Sequence, residues 1–138
     1  MPVQSRLTMK FKISDDLYLS RSKGRGLGVF TKSDISAKRV VEKSCVLVFP
    51  PEERKLLEKT GLHNYIFEWE DDNKSCCVAL GYLSMYNHSF KSNCEYIMDF
   101  EKKTMVIKTV RAIKAGEELT INYNGEWDNE NELWFDVL

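Results

Sequence analysis

The chain is 138 residues long, with a net charge of −1, 43% hydrophobic residues and 30% charged residues. That length suits one domain, a globule burying about 70% of the surface its unfolded chain exposes. No run approaches the roughly 20 apolar residues of a membrane span and the N-terminus has no apolar signal core, while the acidic balance lacks the broad basic surface of a nucleic-acid binder; the expectation is a soluble intracellular protein with no membrane and no direct nucleic-acid contact.

The charge is unevenly spread. Residues 1–43 hold ten Lys/Arg against four Asp/Glu, whereas 124–138 carry Glu126, Asp128, Glu130, Glu132 and Asp136 with no basic residue. Such a tail either attracts a basic partner or is a solvated acidic end. Cys45, Cys76, Cys77 and Cys94 form no C-x-x-C, and adjacent cysteines suit neither a bridge nor a zinc site, so they read as reduced structural thiols. With two histidines no three-histidine metal site can be built, and no metal is expected.

In chain order, the strand-like "LYLS" leads into "KGRGLGVF" at 23–30, where three glycines alternate. Glycine allows backbone conformations other residues avoid and lets a ligand approach the main chain, but a plain turn needs the same residues. The run is neither G-x-G-x-x-G nor a P-loop. "VVEKSCVLVF" is rich in β-branched and aromatic residues and reads as a strand. Pro50 and Pro51 then open a helix of about two turns, with Glu52 and Glu53 at its positive end, Leu56 and Leu57 as an apolar side and Gly61 beyond its stop.

"LHNYIFEW" places Leu62, Tyr65, Ile66 and Trp69 at helical spacing, yet its aromatics also favour strand. "EDDNKS" reads as a loop before "CCVALGYLSMYNHS". "FEKKT" reads as a hairpin turn leading to "TMVIKTV", in which Met105, Ile107 and Thr109 share one face. In "AIKAGEELTINYNGEW" a turn at 115–118 feeds a strand with Leu119, Ile121 and Tyr123 on one face, ended by Asn124-Gly125. The architecture is mostly β.

Three places could carry chemistry: the glycine run, Asn87-His88 with Asn93 behind it, and Tyr123. Each has a bland alternative, namely a turn, a satisfied Asn-His turn, and a core tyrosine with a structural hydrogen bond. A nucleophile pair of Cys94 and His88 is weakly supported, since six residues along a loop do not establish contact.

Taken together and in order, "GRGLGVF", "YNHS" with Asn93, and "AGEELTINY" resemble the SET domain of protein-lysine methyltransferases. The likeness runs from about residue 16 to residue 127 of a single domain spanning 1–138, with an aromatic and acidic tail at 128–138. The compact size is most like the short stand-alone SET proteins of viruses and bacteria. The resemblance implies a mostly β fold of several small sheets with short helices, in which residues 84–94 thread under a later loop as a pseudoknot. It implies S-adenosylmethionine as cofactor, cradled by Lys23, Gly24, Arg25 and Gly26 and held by Asn87 and His88.

It further implies Tyr123 as the catalytic tyrosine at the end of a substrate-lysine channel, which Tyr96 and Tyr65 would line. A tyrosine at 96 suggests mono- or dimethylation. The cysteine-rich zinc segment that often follows the catalytic tyrosine is absent, so Trp127 is expected to complete the cofactor pocket, while Trp134 and Phe135 are divided between the channel wall and a homodimer contact. The implied partner is a protein with a basic lysine-containing segment, histone or other. The location would be cytoplasmic in a bacterium, with the nucleus open to a viral or eukaryotic protein. The competing reading is a catalytically silent SET-like module that binds a peptide or protein.

Overall fold

The computed structural model describes residues 11–70 and 74–123. The Asn124-Gly125 turn, Trp127, Trp134, Phe135, the acidic tail and the middle of the "EDDNKS" loop lie outside the described residues.

Two sheets share one core. The first is built on β4 (Val40–Phe49), which pairs with β1 (Lys12–Ile13), β6 (Cys76–Ala79) and β9 (Thr104–Thr109); β5 (Ile66–Glu68) extends it beyond β6 and β8 (Cys94–Asp99) beyond β9. The second runs β2 (Leu17–Ser22), β3 (Gly26–Thr31), β10 (Glu118–Ile121) and β7 (Asn87–His88). Val29, Leu119 and Ile121 of the second sheet meet Val41, Val46, Met105 and Ile107 of the first in a single cluster.

The local signals act as expected in most places. In β9 Met105, Ile107 and Thr109 are buried while Val106 and Lys108 are partly exposed, the alternation of a pleated strand with one face inward. The β8–β9 hairpin turns at 100–103, where Lys103 takes φ 55°. Helix α1 (Pro51–Leu57) starts within the proline pair, with Pro50 as its cap and Pro51 as its first residue, but it buries none of its residues and leaves Leu56 64% exposed. The apolar side expected of it is therefore not a core face. The ambiguous "LHNYIFEW" resolves as a turn through Tyr65 followed by strand at Ile66–Glu68, where Phe67 pairs with Cys77 in an antiparallel ladder that supplies the backbone bonds.

One strand departs from simple alternation. The pairing of β4 with β9 shifts register between Val40 and Glu42, a bulge that leaves both Val41 and Glu42 facing the interior. The Glu42 side chain is thus enclosed, and its carboxylate accepts from Tyr86 Oη (2.8 Å), Ser44 Oγ (2.9 Å) and the Tyr82 backbone N–H (2.8 Å). These bonds clamp the short 3-10 turn at Leu83–Met85 and the residue after it to β4.

Burial holds the Glu42 carboxyl above its ordinary value of 4.5, although the three donors oppose that rise. The folded chain then binds this proton more tightly than the unfolded chain, so stability falls as pH rises through the window above 4.5. Glu42→Gln removes the charge and keeps an acceptor. Urea unfolding is expected to show the stability difference moving in favour of the glutamine variant as pH rises from 4.5 to neutrality; a difference flat in pH would contradict the clamp's cost.

Candidate functional site

Three segments distant in sequence converge where β7 meets β10. The pair is parallel, Thr120 opposite Asn87 and Ile121 opposite His88, and the Ser89 N–H extends it to Ile121 O at 2.9 Å. Asn93 reinforces it from the side: its Oδ1 accepts from the Thr120 N–H (2.8 Å) and its Nδ2 donates to Glu118 O (2.9 Å). Residues 86–93 are in this way held against 118–123, the contact that the expected pseudoknot requires.

The glycine turn closes onto the same place. Gly24 and Gly26 take φ of 75° and 78°, left-handed values that a side chain would strain, and both border open space. Arg25 reaches across from this turn, its Nη1 donating to His88 O at 2.7 Å. Gly28 is required for a different reason: a β-carbon there would run into the Glu118 carboxylate and the Asn87 amide. Asn87 Nδ2 donates to Leu27 O (3.0 Å) and to Glu118 Oε2 (2.7 Å), while Ser22 Oγ donates to Glu118 Oε1 (2.8 Å).

His88 is 4% exposed, and its Nδ1 accepts the Tyr123 backbone N–H at 3.1 Å. A ring nitrogen that accepts is unprotonated, so the neutral imidazole carries its proton on Nε2. That buried Nε2 has no hydrogen-bond partner among the described residues. Burial first, and Arg25 second, hold the His88 pKa below 6.5 and favour this neutral form. The ring lies edge-on to Phe90 at 4.3 Å and tilted against Tyr123 at 5.2 Å.

Tyr123 follows the end of β10, and its hydroxyl donates to Tyr86 O at 2.6 Å. Phe67 packs on both tyrosine rings, 6.0 Å from Tyr123 and 5.4 Å from Tyr96. The Tyr96 hydroxyl donates to Tyr123 O at 3.3 Å. Burial pushes the Tyr123 phenol up to about 12 and raises Tyr96 as well. Both are therefore neutral phenols at physiological pH.

Of the residues expected here, Gly24, Arg25, Gly26, Asn87, His88, Tyr96 and Tyr123 come together. Lys23 is exposed on the glycine turn. Tyr65 is 43% exposed at the margin, near enough to Tyr123 to raise its pKa. Trp127 lies outside the described residues. The Cys94 thiol is fully buried and pushed up to about 12, which removes the thiolate that a nucleophile pair with His88 would need. Sequence reasoning missed Glu118, Tyr86, Phe67 and Glu42. Glu118 and Tyr86 stand inside the quoted motifs, but only tertiary contacts reveal their work.

A polar rim of this kind fits a cofactor that bears both donors and acceptors. The described part offers a buried, unmatched donor at His88 Nε2 and open backbone at Gly24 and Gly26.

An open glycine turn, a parallel Asn-His strand and a half-buried tyrosine after the last described strand fit a SET-type fold. A family model for the SET domain matches residues 26–124, and the chain belongs to that family. A Schizosaccharomyces pombe protein named histone-lysine N-methyltransferase, H3 lysine-37 specific, is 31% identical over 125 residues, covering 90% of this chain and 80% of that protein. The Drosophila melanogaster histone-lysine N-methyltransferase trr is 29% identical over 132 residues; the match covers 89% of this chain but 5% of the fly protein. The crystal structure of a Plasmodium falciparum protein assigned as a histone methyltransferase superposes with a TM-score of 0.61 at 24% identity, over 80% of this chain and 99% of that one, a likeness of fold.

The His88 tautomer is measurable. Nitrogen-15 NMR at neutral pH is expected to show Nδ1 bare and Nε2 protonated, and the reverse assignment would contradict the Tyr123 contact. Because the folded pKa lies below 6.5, protonation opposes folding and stability is expected to drop as pH falls through 6.5 toward the folded value.

Proposed function

We propose that this protein-lysine methyltransferase takes its methyl group from S-adenosylmethionine and places one or two on the side-chain amine of a lysine in a basic protein segment, histone or other. The observation that carries the reading is the placement of the Tyr123 hydroxyl. Its proton is donated to Tyr86 O, and the ring that carries it packs on Phe67, which also packs on Tyr96, and lies against His88.

When bound, S-adenosylmethionine supplies an electrophilic methyl group on a sulfonium. Asn87, His88 and the backbone of residues 23–26 would hold it, with Trp127 proposed as a further wall. With its proton committed to Tyr86, the Tyr123 hydroxyl meets an incoming amine only as a hydrogen-bond acceptor. That orients the amine, and orientation supplies much of the rate in a displacement where the lone pair must point along one line.

A phenol with a pKa of about 12 is a poor match for general base catalysis near neutrality. Tyr123 is therefore an orienting and stabilising group. A free lysine is neutral in about one molecule in 2,500 at pH 7. The channel has to favour proton loss instead, and the aromatic wall of Phe67, Tyr96 and Tyr123 does so by excluding water from the ammonium. Tyr96, anchored to Tyr123 O, occupies space that additional methyl groups would need. Tyr65, at the rim, would meet the lysine stem.

The test is incubation with isotope-labelled S-adenosylmethionine and candidate proteins, histones and the chain itself included, followed by mass mapping of labelled lysines. Tyr123→Phe is expected to lower turnover about 100-fold, the size of losing one preorganised contact at a reacting centre, with cofactor affinity little changed. Unchanged turnover would refute the role of the hydroxyl. Tyr96→Phe is expected to raise the number of methyl groups per lysine, and an unaltered product distribution would remove Tyr96 from the channel. Cofactor binding without transfer to any protein would favour the silent-module reading.

A further inference from the structure

We propose that Glu118 is a positioning residue that fixes the orientation of the Asn87 amide, turning its carbonyl oxygen toward the site. An asparagine amide fits nearly the same space in two orientations, and its hydrogen-bond partners decide between them. Here two acceptors face one side of Asn87: the Leu27 carbonyl, fixed by the backbone of β3, and the Glu118 carboxylate. Together they take both protons of Nδ2. The flipped amide would set Oδ1 against two acceptors and lose both bonds. Oδ1 is therefore held on the opposite side, where no group among the described residues donates to it.

Glu118 itself is arranged for this task. The carboxylate forms no ion pair with Lys or Arg among the described residues; its two oxygens are taken by Ser22 Oγ and Asn87 Nδ2. One bond to each oxygen fixes the plane of the carboxylate as well as its position. The backbone of Glu118 is anchored too, paired with Phe30 and bonded through its carbonyl to Asn93. Gly28 supplies the clearance, since a β-carbon there would collide with both side chains. Four residues from four segments, Ser22, Gly28, Asn87 and Glu118, thus serve one outcome, an acceptor at Asn87 Oδ1 presented alongside the donor at His88 Nε2.

This rests on the cofactor reading above, and it adds a chemical constraint. The Asn87 side chain can receive a ligand's donor, such as an ammonium, and cannot donate to a carboxylate without breaking its inner bonds.

The test is a double-mutant cycle read as the affinity for S-adenosylmethionine by calorimetry. Glu118→Ala and Asn87→Ala are each expected to weaken binding about tenfold, the scale of one charge-assisted hydrogen bond, and the double variant is expected to be no weaker than Asn87→Ala alone. Ser22→Ala, which loosens the carboxylate without removing it, should weaken binding about threefold, a fraction of such a bond. Glu118→Gln should stay within about threefold of the parent, because glutamine can accept from Asn87 while the Ser22 hydroxyl turns round to accept in its place. Multiplying losses in the double variant, or full affinity in Glu118→Ala, would overturn the proposal.

A second readout does not depend on the cofactor. In NMR spectra of the free chain, Glu118→Ala should move the side-chain amide pair of Asn87 while leaving that of Asn93 in place, and an unmoved Asn87 pair would overturn the proposal. A pair moved by Glu118→Ala, together with a parent chain that binds no S-adenosylmethionine, would support the tether and refute the cofactor reading instead.

Discussion

The site depends on a parallel contact between two very short strands, Asn87–His88 and Glu118–Ile121. Parallel pairing is slightly weaker per residue than antiparallel pairing and needs a long crossover connection, so two residues of it would not persist unaided. Side chains supply the remainder. Asn93 bonds the backbone at both Glu118 and Thr120, Arg25 bonds the His88 carbonyl, and the His88 ring receives the Tyr123 N–H. The residues that present the site are largely those that hold it together, and a change at one of them acts on geometry and chemistry at once.

Behind this contact lies a chain of buried polar groups. Glu42 on β4 holds the Tyr86 hydroxyl, and the Tyr86 carbonyl holds the Tyr123 hydroxyl. A carboxylate buried without a cation raises its own pKa and costs stability as it ionises. Its three donors offset part of that cost and fix the segment that carries Tyr86. Local stability is spent on a precise position for Tyr123. The same burial that raises the phenols of Tyr96 and Tyr123 lowers the pKa of His88, so these three rings are neutral groups that orient rather than exchange protons.

How much of this was legible in the sequence follows from the range of the interactions. β9 is written in alternation, the long β4 strand in its β-branched and aromatic composition, and the turn at 100–103 and the start of α1 in turn and cap residues, all of them signals between neighbours along the chain. The segment "LHNYIFEW" carried both periods, and only its ladder with β6 decided for strand. α1 ends at Leu57, and Leu56 is exposed because no element among the described residues packs over it. Glu42 would be read as a surface charge on a strand; the bulge that turns it inward has no signature of its own in the sequence. β7, two residues long, has no period to read. The motifs at Asn87-His88 and Tyr123 were legible through resemblance, whereas Glu118 and its hold on Asn87 were not, since the two are 31 residues apart and meet only through the parallel pair.

The central claim is that these three segments form one binding surface for S-adenosylmethionine. Titration of the isotope-labelled chain with the cofactor, followed by backbone NMR, tests it most directly. The account predicts that the amides of residues 23–28, 87–89 and 121–123 shift together with a single affinity. Shifts confined to residues outside these three segments, or none at saturating cofactor, would contradict it.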